Sequence, residues 1–367
     1  MFSTLLSRPK TSKKVRCLLL SGVNISKPVD PTDTTRPLPD YYPVCQELEP
    51  DIIDASVALA GKNPLYKLVN HFLGSHFAVG LYAFFRQHKY DVVVTTGEDV
   101  GFPLALYRKL TFFIKHPPLL ITCQTIGIRR SDIFLKKLRV GSAVTTFLCT
   151  TQTLIDLLIK EHYVKPEQIY YLLLHVDHNF FSPMPNVPVR NQLCSTGMAS
   201  RDYATLVKAA TGMDIDVIID AGSQWFDEKL NFKDSDLPSN VRRIRSPTLK
   251  DVRQLYAESQ FVVVPLKDVS FTVGLTVILE AMAMGKAVIA TKVQQHEDFI
   301  EEGKNGAYVE PENVEDLREK IRYFQEHPEE VRRMGEYARK CVEQKYTLEH
   351  YVERLSEAIN QVLPARV

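Results

Sequence analysis

A single carboxylate, Glu280, lies inside the apolar run LTVILEAMAMGKAVIATKV, residues 275–293. On a helix, the side chains three and four positions away would be Thr276, Val277, Ala283 and Met284. A helical Glu ordinarily faces water, but this neighbourhood is mostly apolar. A carboxylate withdrawn from water needs a hydrogen-bonding partner. The pattern therefore favours a binding role for Glu280 over simple exposure.

The segment before that helix, KDVSFTVG (residues 267–274), follows a buried strand-like run and has the features of an anion site. Backbone N–H groups at a helix start, here at Leu275 and Thr276, attract phosphate. Gly274 permits close backbone approach, while Ser270 and Thr272 offer hydroxyls. With Glu280 nearly two turns further in, the combination predicts a phosphate and a sugar bound side by side, as in a sugar nucleotide.

Short apolar runs alternate with amphipathic segments along the chain, which predicts parallel sheets covered by helices on both faces. The run NFFSPMPNVPVRNQ interrupts the alternation, which then restarts. We expect a basic tail at 1–14, a first Rossmann-like domain at 15–183, a second at 184–345, and a C-terminal helix at 346–367 that can cross back to the first domain. The fold class is α/β, with two doubly wound domains facing across a cleft.

Bulk composition excludes several classes of protein. The chain has 367 residues, a net charge of +1 and 24% charged residues, so no overall field favours nucleic acid. No apolar stretch reaches the ~18–20 residues of a membrane span. The six cysteines are not grouped as metal ligands are, and several lie in strand-like runs. We expect reduced core thiols in a cytoplasmic protein.

In the first domain, Glu98 and Asp99 in TTGEDVG directly follow a strand-like run. At that position they either line the cleft or cap the next helix.

The order of motifs over residues 255–321 resembles glycosyltransferase family 4, whose members have the two-domain GT-B fold. The motifs are VVVPL, a variable loop, GLTVILEAMAMGKAVIAT, and GKNGAYVEPENVEDL. HVDHNFFSP resembles the family's linker and STGMASRDYATLVKAA the opening of its second domain, whereas the first domain resembles the family only loosely. The resemblance implies transfer of a sugar from a nucleotide-diphosphate sugar, UDP or GDP in type, to a sugar or lipid acceptor. It further implies retention of configuration, no resident cofactor and no metal.

The resemblance also implies roles for individual residues. Glu280 matches the second Glu of the family's pair, which binds the donor ribose, while Thr272 stands where the first Glu contacts the donor sugar. The usual diphosphate-binding Arg after Gly197 is Met198 here. The remaining cations for the diphosphate are Arg201, which is alternatively a surface residue beside Asp202, and Lys267.

The family's first-domain His has no counterpart, because Cys123 and Gln124 stand at its place. This departure leaves Glu98, Asp99 and Gln124 as the candidates for catalytic contacts. It also supports an alternative: a catalytically silent GT-B module that binds a nucleotide or a protein partner.

The stretch 128–139, IRRSDIFLKKLR, interleaves five cations with apolar residues. On a helix Phe134, Leu135 and Leu138 could share a face, which suits peripheral contact with a membrane surface. The alternative is a helix whose apolar face packs in the core while its basic side is solvated.

Overall fold

The computed structural model describes residues 15–61, 63–124, 126, 129–221, 234–267, 269, 273–293 and 299–364. The basic tail 1–14 and the candidate residues Ser270 and Thr272 lie outside this part of the chain. Among the described residues, no helix is long and apolar enough to cross a bilayer. All six cysteines are free thiols, and five of them are buried.

The first sheet has six parallel strands in the order β2-β1-β3-β4-β5-β6. Every residue of four of these strands is buried, as a sheet covered on both faces requires. The strands are β1 (Cys17–Leu20), β2 (Asp51–Ile53), β3 (Val92–Thr95), β4 (Leu119–Cys123), β5 (Thr146–Cys149) and β6 (Ile169–Tyr171). The helices are α1 (Tyr41–Leu48), α2 (Ala55–Ala60), α3 (Pro64–Leu73), α4 (Ser75–Phe84), α5 (Glu98–Leu110), α6 (Arg129–Asp132) and α7 (Gln152–Lys160).

The second sheet is also parallel and six-stranded, in the order β12-β11-β10-β7-β8-β9. Its strands are β7 (Gln192–Thr196), β8 (Asp216–Asp220), β9 (Val241–Ile244), β10 (Val262–Val264), β11 (Val288–Thr291) and β12 (Gly306–Val309). The later helices are α8 (Tyr203–Ala210), α9 (Leu249–Glu258), α10 (Leu275–Ala283), α11 (Val314–Glu326), α12 (Pro328–Lys345) and α13 (Leu348–Val362). Two doubly wound sheets thus face each other, as the alternation of segments predicts.

Several contacts join the two halves. Helix α13 leaves the second domain and packs on the first sheet, where Tyr351, Leu355 and Ile359 enter the same core as Leu19 and Val92. The long loop after β1 reaches the other way: Thr35 O accepts a hydrogen bond from the backbone N–H of Lys250. Within the first domain, Asp177 accepts a hydrogen bond from the N–H of Leu38 at 2.8 Å, which ties this loop to the segment after β6.

Two helical regions of the first domain are interrupted. Helices α3 and α4 are separate, because Gly74 adopts φ +91° and ends α3. Within the stretch 128–139, Arg129–Asp132 form α6, and residues 133–137 continue as a short π-helix. Its Phe134 and Leu135 are buried against the core, where Phe134 contacts Phe77 and Phe102. The core-facing interpretation of these two side chains is confirmed, and the expectation of an apolar face open to a membrane is wrong for them.

Asp54 fixes the start of the loop after β1. Its side chain is fully buried and caps α2 through Val57 N. Its second oxygen accepts the N–H groups of Ile25 and Ser26, both at 2.9 Å. Burial alone would raise the pKa of this carboxyl, but its hydrogen bonds, led by that from Ser56, outweigh burial and lower the pKa to about 2.

Replacing Asp54 with Asn should lower the free energy of unfolding by about 2 kcal/mol, because an amide NH₂ cannot accept from Ile25 and Ser26. The folded carboxyl has a pKa below its ordinary value of 3.8, so its stabilisation is present above that pH and is lost as the pH falls toward about 2. Urea unfolding at neutral and acid pH measures both effects. Asp30→Asn is the matched control, since the side chain of the exposed Asp30 bonds Thr32, two positions further along the chain. Equal unfolding midpoints for Asp54→Asn and wild type would contradict the expectation.

Candidate functional site

Helix α10 begins at Gly274, which takes φ +80° and has no side chain with which to cap the helix. A Cβ at this position would lie 3.2 Å from side-chain carbons of both Val264 and Leu266. The positive φ and the tight contact both favour glycine. The first N–H groups of α10 therefore start at the carboxyl end of β10, where they can meet an anion.

Glu280 lies on the second turn of α10 and is half-buried. Its Oε2 accepts a hydrogen bond of 2.9 Å from the hydroxyl of Tyr256, on α9. That hydroxyl is itself 2.7 Å from Oγ1 of Thr196, the last residue of β7. Burial raises the pKa of Tyr256 far above its ordinary value, so the phenol stays protonated and can donate. Among the described residues, no donor bonds Oε1 of Glu280.

The surroundings of Glu280 change the pKa of its carboxyl. Burial raises the pKa of this carboxyl from its ordinary 4.5 to about 7, although the Tyr256 hydrogen bond and the charge of Arg201 both act to lower it. Near neutral pH the group is therefore divided between its two protonation states. Hydrogen bonds from the hydroxyls of a ligand would favour the charged form of this carboxyl and so lower its pKa.

The loop after β7 brings a cation to the same end of the sheet. Gly197 takes φ +91°, and a Cβ there would lie 2.7 Å from Nη2 of Arg201. Arg201 is buried and donates from Nε to Thr196 O at 3.0 Å and from Nη1 to Ala199 O at 2.8 Å. The interpretation of Arg201 as a surface residue is wrong, because its side chain folds back under its own loop.

Other candidate donor residues lie around this point. Leu275 is buried and Thr276 is exposed. These two residues contribute their backbone N–H groups to the start of α10. Lys267 has an exposed side chain, and its N–H donates to Ser200 O at 2.9 Å. This bond ties the loop after β10 to the loop after β7.

The candidate residues of the first domain converge on one cavity of about 510 Å³ at the carboxyl ends of β1, β3 and β4. Glu98, Asp99 and Gln124 all line it. Glu98 also accepts the N–H of Gln124 at 3.3 Å. The lining also includes the polar residues Ser21, Asp40, Thr96 and Ser131 and the aromatic residues Phe102 and Phe134.

Asp99 is fixed by contacts that the sequence did not indicate. One oxygen accepts the N–H of Val100 at 2.9 Å, and the other lies 3.3 Å from Nε2 of His76, at the start of α4. A Cβ on Gly22 would lie only 1.8 Å from that second oxygen. Gly22 therefore leaves the space that the carboxylate and the imidazole occupy.

Sequence reasoning missed Tyr256, Thr196 and His76. Tyr256 is in the same helix as many ordinary core residues, and nothing in its spacing indicates a partner 24 positions away. His76 carried a usable signal, because it is a polar residue in the apolar segment SHFAVGLYAF. His116 precedes β4, at the opposite end of that strand from Gln124, and contacts Gln87 and Thr111.

Replacing Glu280 with Gln should change how stability depends on pH. The folded carboxyl has a pKa of about 7 against an ordinary 4.5, so the folded state holds the proton more tightly than the unfolded chain does. Wild-type stability should then fall as the pH rises through this window, by up to about 3 kcal/mol relative to Glu280→Gln. Urea unfolding without nucleotide at about pH 5 and about pH 8 measures the difference.

Glu258→Gln makes the same chemical change at the end of α9, where the carboxylate pairs with Arg190, and serves as the matched control. A gap between wild type and Glu280→Gln that is equal at both pH values would contradict the burial of this carboxyl.

Residues 211–341 match the family model described as "Glycosyl transferases group 1". No curated protein matches the chain significantly by sequence.

Solved structures match almost the whole chain in fold. Sucrose-phosphate synthase from Thermosynechococcus elongatus superposes with a TM-score of 0.71 at 15% identity, covering 96% of this chain and 100% of its own. A glycosyltransferase from Rickettsia africae gives 0.69 at 17% identity, with 96% and 100% covered. HepE of Anabaena, solved in complex with UDP, gives 0.67 at 14% identity, with 95% and 100% covered. The chain therefore has the GT-B fold, and most of its second domain matches the glycosyl transferases group 1 model.

Proposed function

We propose that this protein is a glycosyltransferase of family 4, which moves a sugar from a nucleotide-diphosphate sugar to an acceptor. The observation on which the proposal depends is Glu280, half-buried at the end of the second sheet and bonded on one oxygen to Tyr256. In the proposed complex the ribose hydroxyls donate to this carboxylate. Binding would then supply the hydrogen bonds that a carboxylate withdrawn from water needs.

The diphosphate is proposed to lie against the start of α10. The N–H groups after Gly274 and the helix dipole favour an anion there. The exposed Lys267 adds a mobile cation, and Arg201 supplies a fixed positive charge beneath the loop after β7. These groups would stabilise the negative charge that grows on the leaving diphosphate, and we propose that the transfer needs no metal for this purpose.

In the proposed step, the bond between the anomeric carbon and the diphosphate oxygen breaks while the acceptor oxygen bonds the same face of that carbon. The acceptor proton passes to the leaving diphosphate oxygen. Configuration is then retained, and no enzyme nucleophile takes part. UDP is the proposed nucleotide, and the complexes of Anabaena HepE with UDP and with UDP-glucose support this choice.

The acceptor is proposed to bind in the cavity of the first domain. Its lining combines three carboxylates, Asp40, Glu98 and Asp99, with the hydroxyls and amide around them. Carboxylates and amides are natural partners of sugar hydroxyls. A neutral, polyhydroxylated acceptor suits this wall, whereas a phosphorylated one would be repelled. We propose that the protein acts in the cytoplasm, where sugar nucleotides are available.

Calorimetric titration with UDP, GDP and ADP tests the donor site. UDP should bind, and Glu280→Ala should weaken that binding about ten- to a hundredfold, because a charged hydrogen-bond partner is lost. Glu258→Gln should bind UDP as wild type does. If no nucleotide binds at millimolar concentration, the donor-site proposal fails.

The silent-module alternative is favoured by one observation in the first domain. The position that the family gives to a His is held by Cys123, fully buried, and by Gln124 at the cavity wall. UDP release from UDP-glucose and related donors, with sugar acceptors present, separates the two functions. Tight UDP binding that depends on Glu280 without any turnover would support the silent module.

A further inference from the structure

The segment between α5 and β4 exposes an unusual amount of apolar surface. Leu110, Phe112, Phe113 and Ile114 are 67%, 86%, 74% and 47% exposed. Phe side chains ordinarily account for much of the area buried in a core. Residues 110–114, the aromatic loop, therefore add little to the stability of this domain.

A polar network beneath the aromatic loop fixes its two ends. The buried Arg108 donates to Gln87 at 2.7 Å and to Pro117 O at 2.8 Å. Gln87 in turn contacts one ring nitrogen of His116, whose other nitrogen lies 3.2 Å from the Thr111 hydroxyl. Burying a charged guanidinium is costly, and here its hydrogen bonds hold a surface loop in one shape. These hydrogen bonds fix both ends of the loop, while the rings of Phe112 and Phe113 remain exposed.

Cations surround the aromatic loop. Lys109 and Lys115 flank it, and residues 109–117 contain no acid. Lys109 also donates to Leu138 O and Arg139 O, at 2.6 and 3.1 Å, which places the end of the 128–139 stretch beside the loop. There Lys137 and Arg139 are exposed, together with Leu138. Lys136 is already paired with Glu161 at 3.0 Å.

We propose that the aromatic loop docks this protein on the surface of an anionic lipid bilayer. Phe112 and Phe113 enter the interface between headgroups and acyl chains, while Lys115, Lys137 and Arg139 lie against the anionic headgroups. Aromatic rings favour this depth, and each nearby cation strengthens attachment to an anionic leaflet.

A second copy of the chain suits this surface less well. In a symmetric dimer the same patch meets itself. The cations around one loop would then face those around the other. A bilayer instead offers apolar depth and negative charge together, which is the pattern that the loop and its surroundings match.

The docking surface is distant from the candidate active site. Helix α5 starts with Glu98 at the cavity and ends with Leu110 at the loop, about 20 Å away at 1.5 Å per residue. Docking through the loop would leave nucleotide binding unaffected. The inference therefore stands or falls independently of the proposed function.

Co-sedimentation of the full chain with vesicles tests the inference, using phosphatidylcholine vesicles with and without phosphatidylserine. We expect wild type to bind the anionic vesicles. Phe112→Ser with Phe113→Ser should bind at least about tenfold more weakly, because each ring loses its burial. Leu68→Ser with Phe72→Ser is the matched control, since these α3 side chains are 55% and 72% exposed yet lie outside the loop. This control should bind as wild type does.

Lys115→Gln with Lys137→Gln should weaken binding at low salt and have little effect at high salt, where headgroup charge is screened. Unchanged thermal unfolding and an unchanged circular dichroism spectrum would show that each variant is folded. The inference is overturned if wild type fails to bind anionic vesicles, or if the loop variant binds them as well as wild type. It is equally overturned if the control loses binding, or if wild type self-associates through the loop in sedimentation velocity without binding vesicles.

Discussion

The hydrogen bond from Tyr256 to Glu280 joins three elements at the end of the second sheet. Tyr256 belongs to α9, Glu280 to α10, and the Thr196 hydroxyl that touches the phenol ends β7. Because the phenol is buried and stays protonated, it can offer its proton to the carboxylate. Without that donor, Glu280 would be a half-buried charge whose remaining support among the described groups is the more distant charge of Arg201. The shape of the candidate donor site depends on this one contact.

The two domains build their sites by different means. In the second domain, Gly197 leaves room for the guanidinium of Arg201, and Gly274 starts α10 against Val264 and Leu266; both glycines have positive φ. In the first domain, Gly22 leaves room for the carboxylate of Asp99, and Asp54 anchors the loop that forms the wall. One site is shaped around backbone N–H groups and suits an anion. The other is lined by carboxylates and suits neutral hydroxyls.

The sequence predicted the sheets and, through its family resemblance, the GT-B class. It also offered Glu98 and Asp99 as cleft residues, because parallel strands bring the residues at their carboxyl ends to one edge of the sheet. The need of Glu280 for a partner was also visible from its apolar neighbours. The identity of that partner was not, since spacing cannot tell which residue of another helix will face it. For Arg201 the sequence left a diphosphate contact and a surface position beside Asp202 both open. The structure rules out the surface position, because the guanidinium folds inward at the turn of Gly197.

Helix α5 shows why the first domain's surface was harder to predict than its core. Helix α5 ends at Leu110, and Thr111 turns its hydroxyl back onto the carbonyls of Tyr107 and Arg108. Periodicity could not reveal that stop, because Phe112 and Phe113 continue an apolar run without entering the core. The acids at the start of α5 and the cations at its end both suit the helix dipole. The length of α5 therefore separates the acidic cavity at its start from the basic, apolar loop at its end.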